Sequence, residues 1–160
     1  MDLVGILERE TLHFKINKMA DLQKFVESLL EAKFEEFYPL SGGASADIYN
    51  ITLKNGKRFV LRKTPENSES RLAITKKIEA KVQKIVKKND IPVPLIIKEF
   101  DESSGVGSGY VMEFILGETI PRKILRDGKF AQIRSNLTYR IGEILAKIHR
   151  TDFCLLYTSD

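Results

Sequence analysis

A short run of small residues is the first part of the sequence that could do chemistry. It reads Ser41-Gly42-Gly43-Ala44-Ser45 and is followed by a cation, Arg62, near the end of an apolar run. Small residues let backbone N–H groups approach an anion closely, and a cation from the next strand can complete the cradle. The sequence therefore predicts a phosphate-binding site formed by Gly42, Gly43, Ala44, Ser45 and Arg62.

Two further features would complete such a site. Glu79 is the one acid in the middle of a helical segment, and an acid there can orient the strand cation through a charge-assisted bond. Residues 110–115 read as a buried strand that leads into a break at Gly117. An extended linker at that point offers an apolar slot with backbone donors and acceptors for a nucleotide base. Phosphoryl transfer depends on this kind of positioning and electrostatic stabilisation.

Each of these features alone has a simpler explanation. Gly42-Gly43 alone is typical of a plain turn, and Arg62 with Glu79 could be a surface ion pair worth about 0–1 kcal/mol. Met112 most simply belongs to the core. His149, at the end of an apolar helix, is typical of a packing or capping residue. Only the ordered combination favours the functional interpretation.

Composition limits the class of protein. The chain has 160 residues, of which 42% are hydrophobic and 30% charged, as expected for one globular domain or part of a larger one. It contains no run of about 18 apolar residues and no recognisable secretory signal. A single cysteine excludes an internal disulfide and favours a reducing compartment, so we predict a cytoplasmic protein. The net charge of +4 is interpreted as aiding solubility and not as nucleic-acid binding.

Apolar residues at a spacing near 3.6 predict three helices, at residues 21–37, 71–88 and 130–148. Residues 1–18 show no clean period. The second helix also carries a basic stripe, formed by Lys77, Lys81, Lys84 and Lys88. We interpret this stripe as a solvated helix face, and contact with an anionic partner is the alternative.

Five strands are predicted around these helices. One precedes the small-residue loop, and residues 48–53 and 58–63 form a hairpin around Asn55-Gly56, a strong two-residue turn signal. Residues 95–100 and 110–115 supply the last two strands. One helix between the third and fourth strands, without β-α-β alternation, predicts an α+β fold in which an antiparallel sheet has a helix packed on it.

Five motifs in this order resemble the N-terminal lobe of the aminoglycoside phosphotransferase family, a phosphotransferase family with a protein-kinase-like fold, especially its acyl-CoA-dehydrogenase-associated branch. The resemblance covers roughly residues 37–153. The matching pieces are SGGASADIY at 41–49, FVLRKTP at 59–65, IPVP at 91–94, YVMEFILG at 110–117 and IGEILAKIH at 141–149.

The resemblance implies a role for each candidate residue. Gly42, Gly43, Ala44 and Ser45 would cover the phosphates of ATP, Arg62 would contact them, and Glu79 would hold Arg62. Met112 would flank the adenine, and the C=O of Glu113 and N–H of Ile115 would bond its edge. The full enzyme would use ATP and Mg²⁺ to phosphorylate a hydroxyl group of a small molecule. There are two departures. Arg62 stands where the family commonly has lysine and this branch often has arginine, and its planar fork differs from a compact ammonium. Asp47 stands where this branch often has asparagine.

The same resemblance divides the chain. Residues 1–36 form an N-terminal helical segment, 37–117 the nucleotide-binding lobe with its hinge, and 118–153 the start of a truncated helical C-lobe. Residues 154–160 match no pattern and are interpreted as a non-native, adapter-derived tail.

The family's His-Gly-Asp motif is not in the sequence, so we expect an inactive fragment without catalytic or metal-binding residues of its own. Nucleic-acid and membrane partners are not expected, and a non-catalytic α+β module with a lysine-rich binding helix is the alternative function.

Overall fold

A computed structural model describes residues 3–40, 46–65 and 74–153, with side chains from residue 17 onward. The four helices are α1 (Leu3–Leu30), α2 (Lys76–Lys88), α3 (Pro121–Arg126) and α4 (Ala131–Arg150). The five strands are β1 (Phe34–Pro39), β2 (Asp47–Leu53), β3 (Arg58–Lys63), β4 (Ile96–Phe100) and β5 (Gly109–Glu113). Short 3₁₀ turns lie at Glu102–Ser104 and Gly128–Phe130.

The strands form one antiparallel sheet in the order β1-β2-β3-β5-β4. This confirms the predicted α+β fold with a five-stranded sheet. The β2–β3 hairpin turns at Asn55-Gly56 as expected, because Gly56 adopts a φ of 78° that glycine tolerates at no steric cost. The Leu53 N–H donates to the Lys57 carbonyl at 2.8 Å and closes the turn.

The predicted helix at residues 21–37 is wrong at its C-terminal end. Helix α1 ends at Leu30, Glu31 takes a φ of 52°, and Phe34 already belongs to β1. Phe34 and Phe37 are three residues apart, a spacing that is typical of a helix. In the structure, a register shift between Phe34 and Glu36 places an extra residue in β1. The rings of Phe34 and Phe37 can therefore lie on the same face of this strand.

Other boundaries also differ from the sequence prediction, among them the end of the predicted strand 110–115, since β5 ends at Glu113. Helix α1 includes residues 3–18, where no period was visible. Helix α2 begins at Lys76 and not near residue 71, because Thr75 is extended and its hydroxyl caps the helix by accepting from the Ile78 N–H. The segment after β5 contains α3, which starts at Pro121, a residue whose fixed φ suits the first helical position.

One face of the sheet is covered by α1. Leu22 and Val26 of the helix pack against buried residues of three central strands, Ile51, Leu61 and Val111. At the sheet edge the Phe25 ring meets the Phe100 ring edge to face, with centroids 5.2 Å apart. Burial of this apolar surface is the main source of stability for the fold.

The opposite face of the sheet carries Arg62, Tyr110, Val60 and Met112. The β3–β5 register pairs Arg62 with Tyr110 and Val60 with Met112, and paired residues of an antiparallel ladder project on the same side. Helix α2 lies against β4 and β5, where the Gln83 amide donates to the Pro94 carbonyl at 2.7 Å. Within the described ranges, no helix is long and apolar enough to cross a membrane.

Candidate functional site

Three elements bring polar side chains together at one carboxylate. The β3 residue Arg62 donates from Nε to Oε2 of Glu79 on α2 at 2.9 Å. From β5, the Tyr110 hydroxyl donates to the same oxygen at 3.3 Å. The pairing of Arg62 with Tyr110 fixes both side chains beside α2. The structure therefore joins Arg62 and Glu79 as the sequence predicted, and each is only 23% exposed.

A second cation also binds this carboxylate. Lys76 lies one helical turn before Glu79, and its Nζ donates to Oε1 at 2.6 Å. The Lys76 side chain is only 5% exposed. Lysines are rarely buried to this extent unless they are paired with an opposite charge, as Lys76 is here. The cluster of Arg62, Lys76 and Glu79 thus combines two positive charges with one negative charge. The positive excess suits an anionic ligand.

The protonation states in this cluster follow from burial and pairing. Burial alone raises the pKa of Glu79, but the hydrogen bonds from Arg62 and Lys76 outweigh it and hold this pKa below its ordinary value of 4.5. The hydrogen bond to Glu79 raises the pKa of Arg62. Burial and the charge of Glu79 raise the pKa of Tyr110 to about 12. At neutral pH Glu79 is therefore ionised, and Tyr110 is a neutral donor.

The lowered pKa of Glu79 predicts a loss of stability in acid. A group whose pKa is depressed by folding stabilises the fold fully above its unfolded pKa, near 4.5, and loses this contribution as the pH falls through the folded value. We expect the free energy of unfolding to fall below about pH 4.5, by less in Glu79→Gln than in the wild type. Urea titrations from about pH 7 to pH 3 measure both curves, and parallel curves would contradict the assignment.

A groove of about 500 Å³ opens beside the cluster. Arg62, Glu79 and Tyr110 form its polar end, and Met112 lies on its wall. The remaining wall is mostly apolar and comes from α2, the residues just before it and the segment that leads to β4, namely Ile74, Val82, Gln83, Val86, Val93 and Pro94. The arrangement offers a charged end and an apolar slot, as an amphipathic ligand requires.

The linker after β5 lies beyond the lining of this groove. Glu113 is the last residue of β5, and its N–H is bonded to the Leu95 carbonyl at 2.9 Å. Ile115 is 57% exposed. Among the described residues, no hydrogen-bond acceptor is found for its backbone N–H. The structure thus gathers Arg62, Glu79 and Met112 around one groove and places Glu113 and Ile115 on the adjoining segment.

The predicted phosphate loop, Gly42 to Ser45, lies outside the described residues, as does the predicted tail at 154–160. Asp47, the departure noted next to that loop, has a position and a partner. It pairs with Lys63 across the β2–β3 ladder, and its Oδ2 lies 4.0 Å from the lysine Nζ. Asp47 therefore neutralises a lysine that is 6% exposed, which gives it a structural role next to the site.

Sequence reasoning missed Lys76 and Tyr110. A signal existed for Lys76, because a lysine three positions before a glutamate shares its helix face. Its burial depends on how the chain packs around α2, however, and could not be seen in the helix pattern. Tyr110 alternates with Val111 and therefore had to face the opposite side of β5 from the core. Its contact with Glu79 depends on the β3–β5 register, which the sequence does not display.

Among the side chains of residues 17–40, 46–65 and 74–153, there is no group of three or more histidine, cysteine, aspartate or glutamate residues that could hold a metal ion.

The model of the phosphotransferase enzyme family matches residues 36–156 of the sequence. That range contains the whole sheet except the first two residues of β1, together with α2 and α4. A comparison with curated proteins found no match.

Proposed function

Because the chain belongs to the phosphotransferase enzyme family, we propose that it forms the nucleotide-binding lobe of an ATP-dependent small-molecule kinase. The full enzyme would transfer the γ-phosphoryl group of ATP to a hydroxyl of its substrate. The observation that carries this proposal is the bond between Arg62 and Glu79, which fixes a strand cation beside an apolar groove.

Arg62 supplies the cation for the phosphates in this proposal. Its Nε is held by Glu79, so a terminal nitrogen can donate to an incoming phosphate oxygen. A guanidinium presents a planar fork of donors that matches a phosphate group. Lys76 donates to the other oxygen of Glu79 and helps to keep this carboxylate ionised, so Glu79 can hold Arg62.

The other proposed contacts extend the site in two directions. Gly42, Gly43, Ala44 and Ser45 would donate backbone N–H groups to the phosphates. Met112 would pack on the adenine, while the Glu113 carbonyl and the Ile115 N–H would bond its edge. Mg²⁺ would neutralise charge on the phosphates, and its ligands would come from the catalytic lobe.

Nucleotide binding tests the proposal directly. We expect ATP–Mg to raise the melting temperature of the wild-type chain, and Arg62→Ala to weaken ATP binding about 10- to 100-fold through the loss of charged hydrogen bonds. The variant should stay folded, because Lys76 still pairs with Glu79. Isothermal titration calorimetry gives both affinities.

Lys57→Ala is the matched control, since it removes one exposed positive charge from the β2–β3 turn and should leave ATP binding unchanged. Absence of ATP binding to the wild type would overturn the proposal. Salt-sensitive RNA binding in that case would favour the alternative module with a basic helix. The structure gives that alternative less support, because Lys84 of the stripe is bound to Glu99 and neighbouring Lys87 donates to the Val93 carbonyl.

A further inference from the structure

A fully buried asparagine lies on the face of the sheet that carries the candidate site. Asn50 of β2 is 0% exposed and pairs with Val60, the neighbour of Met112 in the ladder. Its amide nitrogen donates to the Thr52 hydroxyl at 3.2 Å, and its amide oxygen accepts from a terminal nitrogen of Arg58 at 3.0 Å. A buried amide is tolerated only when it is hydrogen-bonded, so Asn50 constrains the position of Arg58.

The guanidinium of Arg58 also contacts the linker after β5. Its central carbon lies 3.7 Å from the centroid of the Phe114 ring, a cation–π distance. Phe114 stands between Glu113 and Ile115, the two residues proposed to bond the adenine edge. The buried Asn50 is thereby connected through one side chain to the middle of the nucleotide linker.

The linker is held on its other side by the approach to β4. The Glu113 N–H donates to the Leu95 carbonyl at 2.9 Å, and the Glu113 carboxylate accepts from the Leu95 N–H at 3.2 Å. These bonds fix the start of the linker at Glu113. The contact between Arg58 and Phe114 is the constraint that follows immediately along the chain.

We propose that Arg58 is a positioning residue that sets the orientation of residues 113–115 toward a bound nucleotide base. This inference rests on the proposed function. Two residues of β3 would then act at the two ends of the nucleotide. Arg62 would contact the phosphates, and Arg58, four residues earlier on the same face, would position the base-binding linker through Phe114. Arg58 acts through Phe114 and need not touch the ligand.

Hydrogen exchange of the free protein tests the contact without any nucleotide. In Arg58→Ala and in Phe114→Leu, we expect the amide of Glu113, which is protected by its bond to the Leu95 carbonyl, to exchange several-fold faster, with no change in α2. The double variant should be no faster than either single variant, because both remove one contact. Lys57→Ala is the matched control on the adjoining residue. Unchanged exchange at the linker in both single variants would overturn the inference.

Binding of two ligands separates the base end from the phosphate end. We expect Arg58→Ala to weaken ATP binding about fivefold while inorganic tripolyphosphate binds as it does to the wild type. Arg62→Ala should weaken both ligands. Equal ATP affinities of the wild type and Arg58→Ala would refute the positioning role but leave the proposed function standing. A wild type that binds no ATP would overturn the proposed function and the role of the linker together.

Discussion

Replacement of Glu79 by glutamine is expected to lower the free energy of unfolding by about 2–3 kcal/mol at neutral pH. The change preserves the size of the side chain but removes the negative charge that Arg62 and Lys76 share. The two cations would then face each other across a neutral amide, in a region where Lys76 is almost fully buried. Urea denaturation followed by circular dichroism measures the loss.

The matched control is Glu99→Gln, which removes the carboxylate bound to Lys84 on the exposed side of the same helix. Both side chains of that pair are accessible to water, so we expect a loss of no more than about 0.5 kcal/mol. If Glu79→Gln cost no more than this control, the cluster would be an ordinary solvated ion pair. The electrostatic argument for an anion site would then fail.

Introduction of a methyl group at Gly109 is expected to destabilise the sheet by about 2–3 kcal/mol. Gly109 opens β5 between Lys63 of β3 and Phe100 of β4. A Cβ at this position would lie 2.6 Å from the Arg62 carbonyl oxygen and 2.6 Å from Cζ of Phe100. The first of these atoms is backbone, and the Phe100 ring is packed against Phe25, so neither can retreat freely.

Gly142→Ala is a control for which we expect the opposite effect, a gain in stability. Gly142 lies inside α4, and a Cβ there would meet nothing within 4 Å. The substitution should stabilise the helix by about 0.5–1 kcal/mol, because alanine loses less backbone entropy than glycine. Thermal denaturation of both variants checks the pair. A Gly109→Ala protein as stable as the wild type would show that the packing around β5 is looser than the distances indicate.

The parts of the fold that could be predicted are those encoded locally. Asn55-Gly56 specifies its hairpin because the turn needs a positive φ at Gly56, whatever the rest of the chain does. Lys76–Lys88 could be recognised as a helix from its apolar stripe, although its first residue depended on the Thr75 cap. Arg62 and Glu79 could be paired in advance because their order along the chain matched a known arrangement.

Features that depend on distant partners could not be predicted. Phe34 and Phe37 have a helical spacing, and only pairing with β2 shows that a bulge reconciles it with a strand. The bond from Lys76 to Glu79 could have been predicted from their spacing along the helix, but the burial of the Lys76 side chain could not. The contact of Arg58 with Phe114 joins β3 to the linker after β5, which is remote in the chain, and no local pattern marks either residue.

The strand order has a consequence for how the chain folds. Strands β1, β2 and β3 are neighbours in both sequence and sheet, so their pairing closes only short loops. The β3–β5 pairing must enclose α2 and β4, and 17 positions separate Arg62 from Glu79 and 31 separate Glu79 from Tyr110. Closing this long loop carries the larger entropic cost and belongs to the slow part of folding. The charged cluster is therefore assembled by the least local step in the sheet, and a chain that has formed only its first three strands has no site.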